Sequence, residues 1–372
     1  MTQTVKFGYD AVSFLKKILS EKSPKKILLV RGKNSYTYSG ADKEIEPILS
    51  DFCHVTFYDF ERNPKVEDVE RGISLFNKNN CDLIMAVGGG SVIDMAKLIN
   101  IFHSEQGNLK TLIISNTTNG SVVPFIALPT TSGTGSEATH FAVAYVDQKK
   151  YSVSSNKLLP ETVLINPAFA FSASKYLTAV TGLDAFAQAI ESYWSVNSNK
   201  ESIEYSTKAI KVLWDNLPLA VNKNDEKAKE KVSWASHLAG KAINIAKTTA
   251  PHAVSYSFTS HYKIPHGHAV ALTLAHFLEF NYNVTENDCN DKRGASFVKK
   301  SIEDMCTLIN IKTKNLESTL TEFILSLGIE TSIKKLIGNN FDAKIILDNI
   351  NSERMKNNPR KISQTFINAI LK

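Results

Sequence analysis

The stretch Leu83-Ile-Met-Ala-Val-Gly-Gly-Gly-Ser-Val-Ile-Asp-Met-Ala-Lys97 reads as a short apolar strand, a triple-glycine turn and the start of a helix. A strand with no polar residue has both faces covered, which is the mark of a parallel sheet sandwiched by helices. The glycines let the backbone come close to a ligand, and the free amides at the helix start form an anion site. Two readings of the glycines stay open at this point: a purely structural turn, or a cradle for phosphate. The segment lacks the Gly-x-Gly-x-x-Gly spacing of the ordinary dinucleotide fingerprint.

Working outward, the same alternation holds for the first part of the chain. Helical periodicity over 11–20, 41–49, 66–77 and 91–102 alternates with strands over 26–30, 54–58, 83–87 and 124–128. Such alternation predicts an α/β domain with ligands at the carboxyl ends of the strands. Beyond Pro167 the strand signals stop, and helical periodicity continues to the end. The expected organisation is an α/β nucleotide-binding domain over 1–168 and an all-helical domain over 169–372. The polar stretch 285–292 reads as a surface loop.

Two more loops follow expected strands. Leu128-Pro-Thr-Thr-Ser-Gly-Thr-Gly-Ser-Glu137 offers five hydroxyls and two glycines in nine residues, a donor-rich surface for phosphate or ribose. Arg31-Gly-Lys-Asn-Ser35 has glycine and cations where an acidic residue would accept from a ribose 2′-hydroxyl, which favours NADPH over NADH. Solvated surface charge is the competing reading of that loop.

Composition excludes several classes. The 372 residues are 43% hydrophobic and 22% charged, ordinary for a globular protein of two domains. A net charge of +6 is spread without a basic block, which argues against nucleic acid as a partner. Four cysteines without Cys-x-x-Cys spacing suit a reducing compartment and exclude a cysteine-type zinc motif. With no signal pattern and no transmembrane-length apolar run, the expected location is the cytoplasm, with no membrane partner.

Of nine histidines, His252, His261, His266, His268 and His276 crowd into one largely apolar stretch. Histidine is the commonest metal ligand, so the crowding points to a buried site that holds something. In the preceding helical segment Asp184 and Gln188 are four apart on one face, and an aspartate among Leu183, Ala185 and Phe186 is costly to bury without a partner. Asp184, His252 and His266 suit a divalent transition metal, with Gln188 as a weaker oxygen ligand or leaving that position to water. His252 falls in the first turn of a helix after Thr249 and Pro251, and His266 in an Ile-Pro-His-Gly turn.

Four motifs together resemble one family. Gly88-Gly-Gly-Ser91 with Asp94 and Lys97, Pro129 to Glu137, Gly182-Leu-Asp-Ala185 with Ala189-Ile-Glu191, and Ile264-Pro-His-Gly267 are similar to the iron-containing (group III) alcohol dehydrogenases. The resemblance runs from about Phe7 to Leu278. It implies a Rossmann-like nucleotide-binding domain followed by a helical domain, the architecture shared with dehydroquinate synthase. It also implies a divalent metal (iron favoured, zinc or nickel as alternatives), a nicotinamide cofactor, a small aldehyde or alcohol as substrate, and a homodimer.

Three metal ligands carry over onto Asp184, His252 and His266. A fourth, a histidine in the family, falls on Gln188, and a further family histidine near the substrate falls on Tyr256. The cofactor set is Gly32, Lys33, Ser35, Gly88, Gly89, Gly90, Ser91, Asp94, Thr130, Thr131, Ser132, Thr134 and Ser136. Tyr256 and Lys150 are the catalytic candidates. Both departures, with the segments 191–197, 252–261 and 267–270, resemble the phosphonoacetaldehyde reductase (2-hydroxyethylphosphonate dehydrogenase) branch. That branch implies reduction of phosphonoacetaldehyde, and Lys150, Lys157 and Lys263 are candidate partners for a phosphonate. The alternatives are a general short-chain alcohol dehydrogenase, a lyase or glycerol-phosphate dehydrogenase on the same fold, and a catalytically impaired nucleotide-binding homologue.

Overall fold

A computed structural model describes residues 3–147 and 149–372. The chain divides into two compact units, Met1–Ala173 and Ser174–Lys372.

The first unit runs β1 (Thr4–Phe7), α1 (Phe14–Lys22), β2 (Ile27–Arg31), α2 (Ser35–Tyr38), α3 (Ala41–Leu49), β3 (His54–Phe57), α4 (Val66–Lys78), β4 (Leu83–Gly88), α5 (Gly90–Phe102), α6 (Leu109–Ser115), β5 (Phe125–Pro129), β6 (Phe141–Val146), β7 (Lys149–Ser154) and β8 (Thr162–Ile165). Six strands form a parallel sheet in the order β1-β8-β5-β4-β2-β3, and β6 and β7 pair as a separate antiparallel ribbon. The apolar strands divide their side chains as the pleat requires. Leu28, Val30, Ile84, Ala86, Ala127 and Val163 enter one core, while Ile27, Leu29, Met85, Val87, Ile126 and Leu164 enter the other. Helices cover both faces, which is why these strands carry no polar alternation.

The four strands expected from sequence are present, and four more accompany them. β1 alternates between exposed and half-buried at the sheet edge, so its Thr-Val-Lys-Phe carries no hydrophobic run to detect. β8 is a four-residue buried strand between β1 and β5. The hairpin β6–β7 lies outside the parallel sheet, where the alternation of strand and helix gives no cue.

The order β5-β4-β2 places three carboxyl ends side by side. Arg31 pairs with Val87, Gly88 with Pro129, the Gly32 amide donates to Val87 O (3.2 Å), and the Thr130 amide donates to Gly88 O (3.0 Å). All three polar loops singled out in the sequence therefore start from neighbouring strands.

The second unit is helical: α7 (Lys175–Trp194), α8 (Lys200–Asn222), α9 (Glu226–Ala246), α10 (Ala250–Tyr262), α11 (His266–Tyr282), α12 (Ala295–Leu308), α13 (Leu316–Ser326), α14 (Ile333–Ile337), α15 (Ala343–Asp348), α16 (Ser352–Met355) and α17 (Gln364–Ile370). α7 is buried almost throughout from Thr178 to Trp194, and α8, α9, α11 and α12 pack on it. Residues 285–292 form a loop. His266 is the first residue of α11 rather than a turn residue, because Pro265 sets the extended backbone from which the helix starts.

Candidate functional site: one carboxylate, two imidazoles and their support

Asp184 sits in the middle of α7, 3% exposed. Gln188 and Glu191 follow at one and two turns on the same helix, both buried. His252 lies in the first turn of α10, and its Nε2 is 3.3 Å from Asp184 Oδ1. His266 opens α11, and its Nε2 is 3.9 Å from the same oxygen. The two imidazole rings meet edge-on, 5.2 Å between centroids at 73°. One donor atom from each of Asp184, His252 and His266 lies within 4.8 Å of the other two.

A glycine makes the approach possible. A methyl group added at Gly267 would stand 1.8 Å from the Val180 carbonyl oxygen and 3.1 Å from Asp184 Cβ. Only hydrogen fits there, so the start of α11 lies directly on α7 and carries His266 to Asp184. Gly182 has the same role against α8, where a Cβ would meet Leu217 at 2.2 Å.

The orientation of His252 is set by a residue to which the sequence reading gave no role. Glu191 is fully buried, and its Oε1 accepts a short hydrogen bond from His252 Nδ1. Its Oε2 accepts from the Thr249 amide (2.6 Å) and the Thr249 hydroxyl (3.0 Å), and Thr249 Oγ1 in turn accepts from Trp194 Nε1 (2.9 Å). Burying a carboxylate costs several kcal/mol, about 3–5 when a partner is missing, and these donors offset that cost. With the Nδ1 proton committed to Glu191, Nε2 is the atom left to face Asp184. A second-layer carboxylate that fixes ligand tautomer is the usual support of a metal-binding histidine. The sequence signal was there: Glu191 lies two turns after Asp184 in an otherwise apolar helix.

Burial alone would lower the pKa of His252, but Glu191 and Asp184 outweigh it and raise it to about 10. Nitrogen and oxygen donors around a common point, one of them anionic, fit a divalent transition ion. Tyr256, one turn after His252, has its ring 5.8 Å from that of His266.

The remaining histidines of the cluster are struts. His268 Nε2 donates to Glu330 O (2.7 Å), so its Nδ1 accepts from the Tyr176 hydroxyl (3.0 Å). His261 Nδ1 reaches Ser257 O, and His276 pairs with Glu317 at 3.0 Å.

In the first unit the loops after β4 and β5 interlock. A Cβ at Gly89 would come 3.1 Å from Thr131 Oγ1, and one at Gly90 would come 2.6 Å from Thr134 Oγ1. Asp94, expected among the cofactor contacts, spends its carboxylate on the protein: Oδ1 accepts from Ser136 Oγ (2.5 Å) and Oδ2 from the Val143 amide (3.0 Å). Lys97, wholly buried, donates to Ser136 O, Thr139 O, Thr139 Oγ1 and Phe141 O at 2.6–3.0 Å. Ser91 Oγ accepts from the Asn63 amide (3.2 Å). Thr130 Oγ1 and Ser132 Oγ are buried with no hydrogen-bond partner among the described residues. Orphaned hydroxyls on the loop next to the start of α5 are what a phosphate-bearing cofactor would satisfy.

Gly32 and Ser35 are in close contact, since a Cβ at Gly32 would lie 2.0 Å from Ser35 Oγ. The Arg31 guanidinium lies over the rings of Tyr58 (4.3 Å) and Tyr36 (5.0 Å). Lys33 is exposed in this loop. Lys150 is half-buried on β7, and its charge acts on Asp94. Lys157 is exposed and donates to Asn119 O (3.0 Å) and Gly120 O (2.9 Å), while Lys263 is the exposed left-handed C-cap of α10.

A parallel α/β unit with phosphate-ready loops, continued by a helical unit with a carboxylate–imidazole donor set, defines the class of metal-using, nucleotide-dependent enzymes. The chain belongs to the iron-containing alcohol dehydrogenase family. The family profile "Iron-containing alcohol dehydrogenase" matches residues 2–167, and "Fe-containing alcohol dehydrogenase family, C-terminal" matches residues 178–372. The 1,3-propanediol dehydrogenase of Klebsiella pneumoniae is 30% identical over 376 residues, covering 98% of this chain and 95% of its own. The phosphonoacetaldehyde reductase of Streptomyces viridochromogenes is 27% identical over 306 residues, 78% of this chain and 75% of its own. The crystal structure of sulfoacetaldehyde reductase from Bifidobacterium kashiwanohense, in complex with NAD+, superposes with a TM-score of 0.86 at 27% identity, covering 99% of this chain and 96% of that one. The protein is an oxidoreductase acting on CH–OH groups, an NAD(P)-linked alcohol dehydrogenase or aldehyde reductase whose family uses a divalent metal. No helix of the described residues is long and apolar enough to cross a membrane.

Proposed function

We propose that the protein reduces a two-carbon aldehyde carrying a tetrahedral oxyanion, with phosphonoacetaldehyde to 2-hydroxyethylphosphonate as the favoured reaction. The observation that carries this reading is the site on α7, α10 and α11. Asp184, His252 and His266 converge there, but Gln188 and Tyr256 occupy the positions where the resemblance implies two more histidines. Relatives that act on phosphonoacetaldehyde and on sulfoacetaldehyde support the substrate class.

The reaction consumes one aldehyde, one NAD(P)H and one proton, and yields the primary alcohol and NAD(P)+. When bound, the metal supplies Lewis-acid polarisation of the carbonyl, and the nicotinamide supplies the hydride. The chain's own part is to place and hold these groups. Glu191 holds the Nδ1 proton of His252 so that Nε2 is presented as a donor. Asp184 contributes the negative charge that offsets a dication, with Gln188 beside it. Tyr256, next to His266, holds the proton that completes the product hydroxyl, and Lys150 is kept as a second candidate. Thr130, Thr131, Ser132, Thr134 and Ser136, with Gly88 to Ser91, cradle the cofactor phosphates, and Asp94 keeps those loops together.

NADPH is the cofactor we favour. An acidic side chain at position 32 would collide with Ser35, and Arg31 lies close by. The protein works as a homodimer in the cytoplasm on this reading. The test is oxidation of NADPH and of NADH by the iron- or zinc-loaded protein with phosphonoacetaldehyde, sulfoacetaldehyde and butanal. We expect kcat/KM highest with an anionic aldehyde and NADPH. Turnover of butanal alone would leave a general alcohol dehydrogenase, and no turnover with any aldehyde would leave an impaired homologue.

A further inference from the structure

The peptide group between Thr248 and Thr249 carries a hydrogen bond at each end. Its N–H donates to Glu191 Oε2 (2.6 Å), and its carbonyl oxygen accepts from Asn357 Nδ2 (2.9 Å). Glu191 Oε1 in turn holds the Nδ1 proton of His252. An unbroken chain of contacts therefore runs from a side chain just beyond α16 to the imidazole that faces Asp184.

The two ends of this peptide are secured differently. At the amide end the Thr249 hydroxyl is anchored to Glu191 and Trp194. The carbonyl end lies in the irregular link between α9 and α10, where Lys247 turns the chain with φ 64° and ψ 169°, a conformation that side chains avoid. Thr249, the N-cap of α10, has φ −124° and ψ −145°, outside the helical region. Among the described residues no backbone amide reaches the Thr248 oxygen, although Thr248 is buried. A buried carbonyl needs a donor, and Asn357 supplies it.

Asn357, half-buried, is itself held from two sides. Its Oδ1 accepts from Asn197 Nδ2 (2.9 Å), which leaves the amide nitrogen for Thr248, and its backbone oxygen accepts from the Val196 amide (3.1 Å). The adjacent Asn358 is wholly buried and exchanges amide hydrogen bonds with Asn281 of α11 (2.8 and 3.2 Å). The Asn351 amide donates to Ala253 O, the residue after His252 (3.3 Å). Residues 351–358 are thus pinned to α10, to α11 and to the residues that follow α7, the three helices of the donor set.

We infer that Asn357 is a positioning residue for the metal site: through the Thr248–Thr249 peptide it holds the Glu191 carboxylate that orients His252. A donor on the carbonyl polarises the amide, so its N–H becomes a better donor, and each bond in such a chain strengthens its neighbour by about 10–30%. The same contact fixes the plane of the peptide, so the Thr249 N–H stays aimed at Glu191. The inference rests on the reading of Asp184, His252 and His266 as the donors of the metal.

The test compares Asn357→Asp with Asn197→Ala. The first keeps the size and the Oδ1 acceptor but turns an oxygen toward Thr248 O. The second removes a bond to the same side chain and leaves the Thr248 contact in place. The readings are zinc affinity by chelator competition, the visible spectrum of the cobalt(II)-loaded protein, and exchange of the Thr249 amide proton in the metal-free protein. We expect Asn357→Asp to bind zinc about tenfold more weakly, the low end of what loss of an outer partner costs a metal site, with a shifted cobalt spectrum and faster exchange at Thr249. Asn197→Ala should keep the wild-type affinity and spectrum even where its melting temperature falls. Wild-type values in Asn357→Asp, or a loss in Asn197→Ala as large as that in Asn357→Asp, would overturn the inference. Asn357→Ala, which removes the donor without adding a charge, is read in the same way should Asn357→Asp not fold. Fast exchange of the Thr249 amide in the wild type refutes it without any variant. The donor reading fails separately: His252→Ala binding zinc as tightly as the wild type would dismiss the donor set, whatever Asn357 does.

Discussion

Each unit holds a lysine whose pKa is lowered to about 8, Lys97 wholly buried and Lys247 half-buried, and the two are handled in opposite ways. Lys97 sits mid-helix in α5 with ordinary backbone geometry, and four oxygens of residues 136–141 surround its ammonium at 2.6–3.0 Å. Lys247 stands on a left-handed backbone with Arg354 near it. Burial lowers both to about 8. One is a fastener whose partners are all internal, since Lys97 and Asp94 bind the loop after β5 to α5. The other is a charge in a place where stability alone would have put glycine. The contrast separates a lysine enclosed by the loop it fastens from one whose backbone carries the strain.

The comparison can be broken most directly at Lys97. Lys97→Met leaves Asp94 buried without its nearby cation and the carbonyl oxygens of 136, 139 and 141 without a donor. We expect a loss of about 3–5 kcal/mol in urea or thermal unfolding, with metal content of the folded protein unchanged. A Lys97→Met protein as stable as the wild type would show that the network is not a fastener.

A smaller effect is expected in the second unit. Glu191→Gln keeps the volume and an acceptor but removes the charge that holds His252. Metal affinity, measured by competition with a chelator, should fall 10- to 100-fold, and the apo-protein should lose about 1–3 kcal/mol, because the new NH2 group faces a buried donor that Glu191 had satisfied. An affinity within twofold of the wild type would dismiss Glu191 as a positioning residue. Gln188→His sharpens the same point from the donor side, and should tighten metal binding and shift substrate preference; unchanged values of both would remove Gln188 from the site.

The smallest effect is a pH slope. Lys247 has a folded pKa of about 8, below its unfolded value near 10.5. Between those values the unfolded chain binds more protons, so this group's contribution to stability rises with pH. Lys247→Gly should therefore be more stable than the wild type at pH 7, and the gap should narrow from pH 8 toward pH 10.5. A gap constant across that window would mean that Lys247 is not held down as described.

How much of this was legible in the sequence depends on the range of the interactions. The continuous apolar runs of β2, β4 and β5 announced a sheet covered on both faces, and the loops after them could be read because ligand sites follow strand ends. β1 and β8 escaped the reading because their places in the sheet are set by each other, from opposite ends of the unit, and not by a neighbouring helix or loop. Asp184, His252 and His266 stood out by residue type in apolar company. The spacing of Glu191, two turns after Asp184, was visible, but its pairing with Thr249 was not, because a hydrogen bond across 58 residues leaves no local trace. The strain at Lys247 is a dihedral angle that no composition reports. The triple glycine is instructive: Gly89 and Gly90 pack against Thr131 and Thr134, which accounts for a structural turn, and the orphaned hydroxyls of Thr130 and Ser132 on the neighbouring loop are compatible with the phosphate cradle that we propose.

The contact at Gly267 has a further consequence. Because its α-hydrogens face a backbone carbonyl of α7 and not a movable side chain, the separation of the two helices there is fixed by peptide geometry. His266 is the neighbouring residue, so the place of its Cα relative to α7 is set by main chain, and only its side-chain torsions are left to move the ring. Directed evolution toward another metal has no lever at that joint. It must change the donors on α7, with position 188 the first to randomise and position 267 the one to leave untouched.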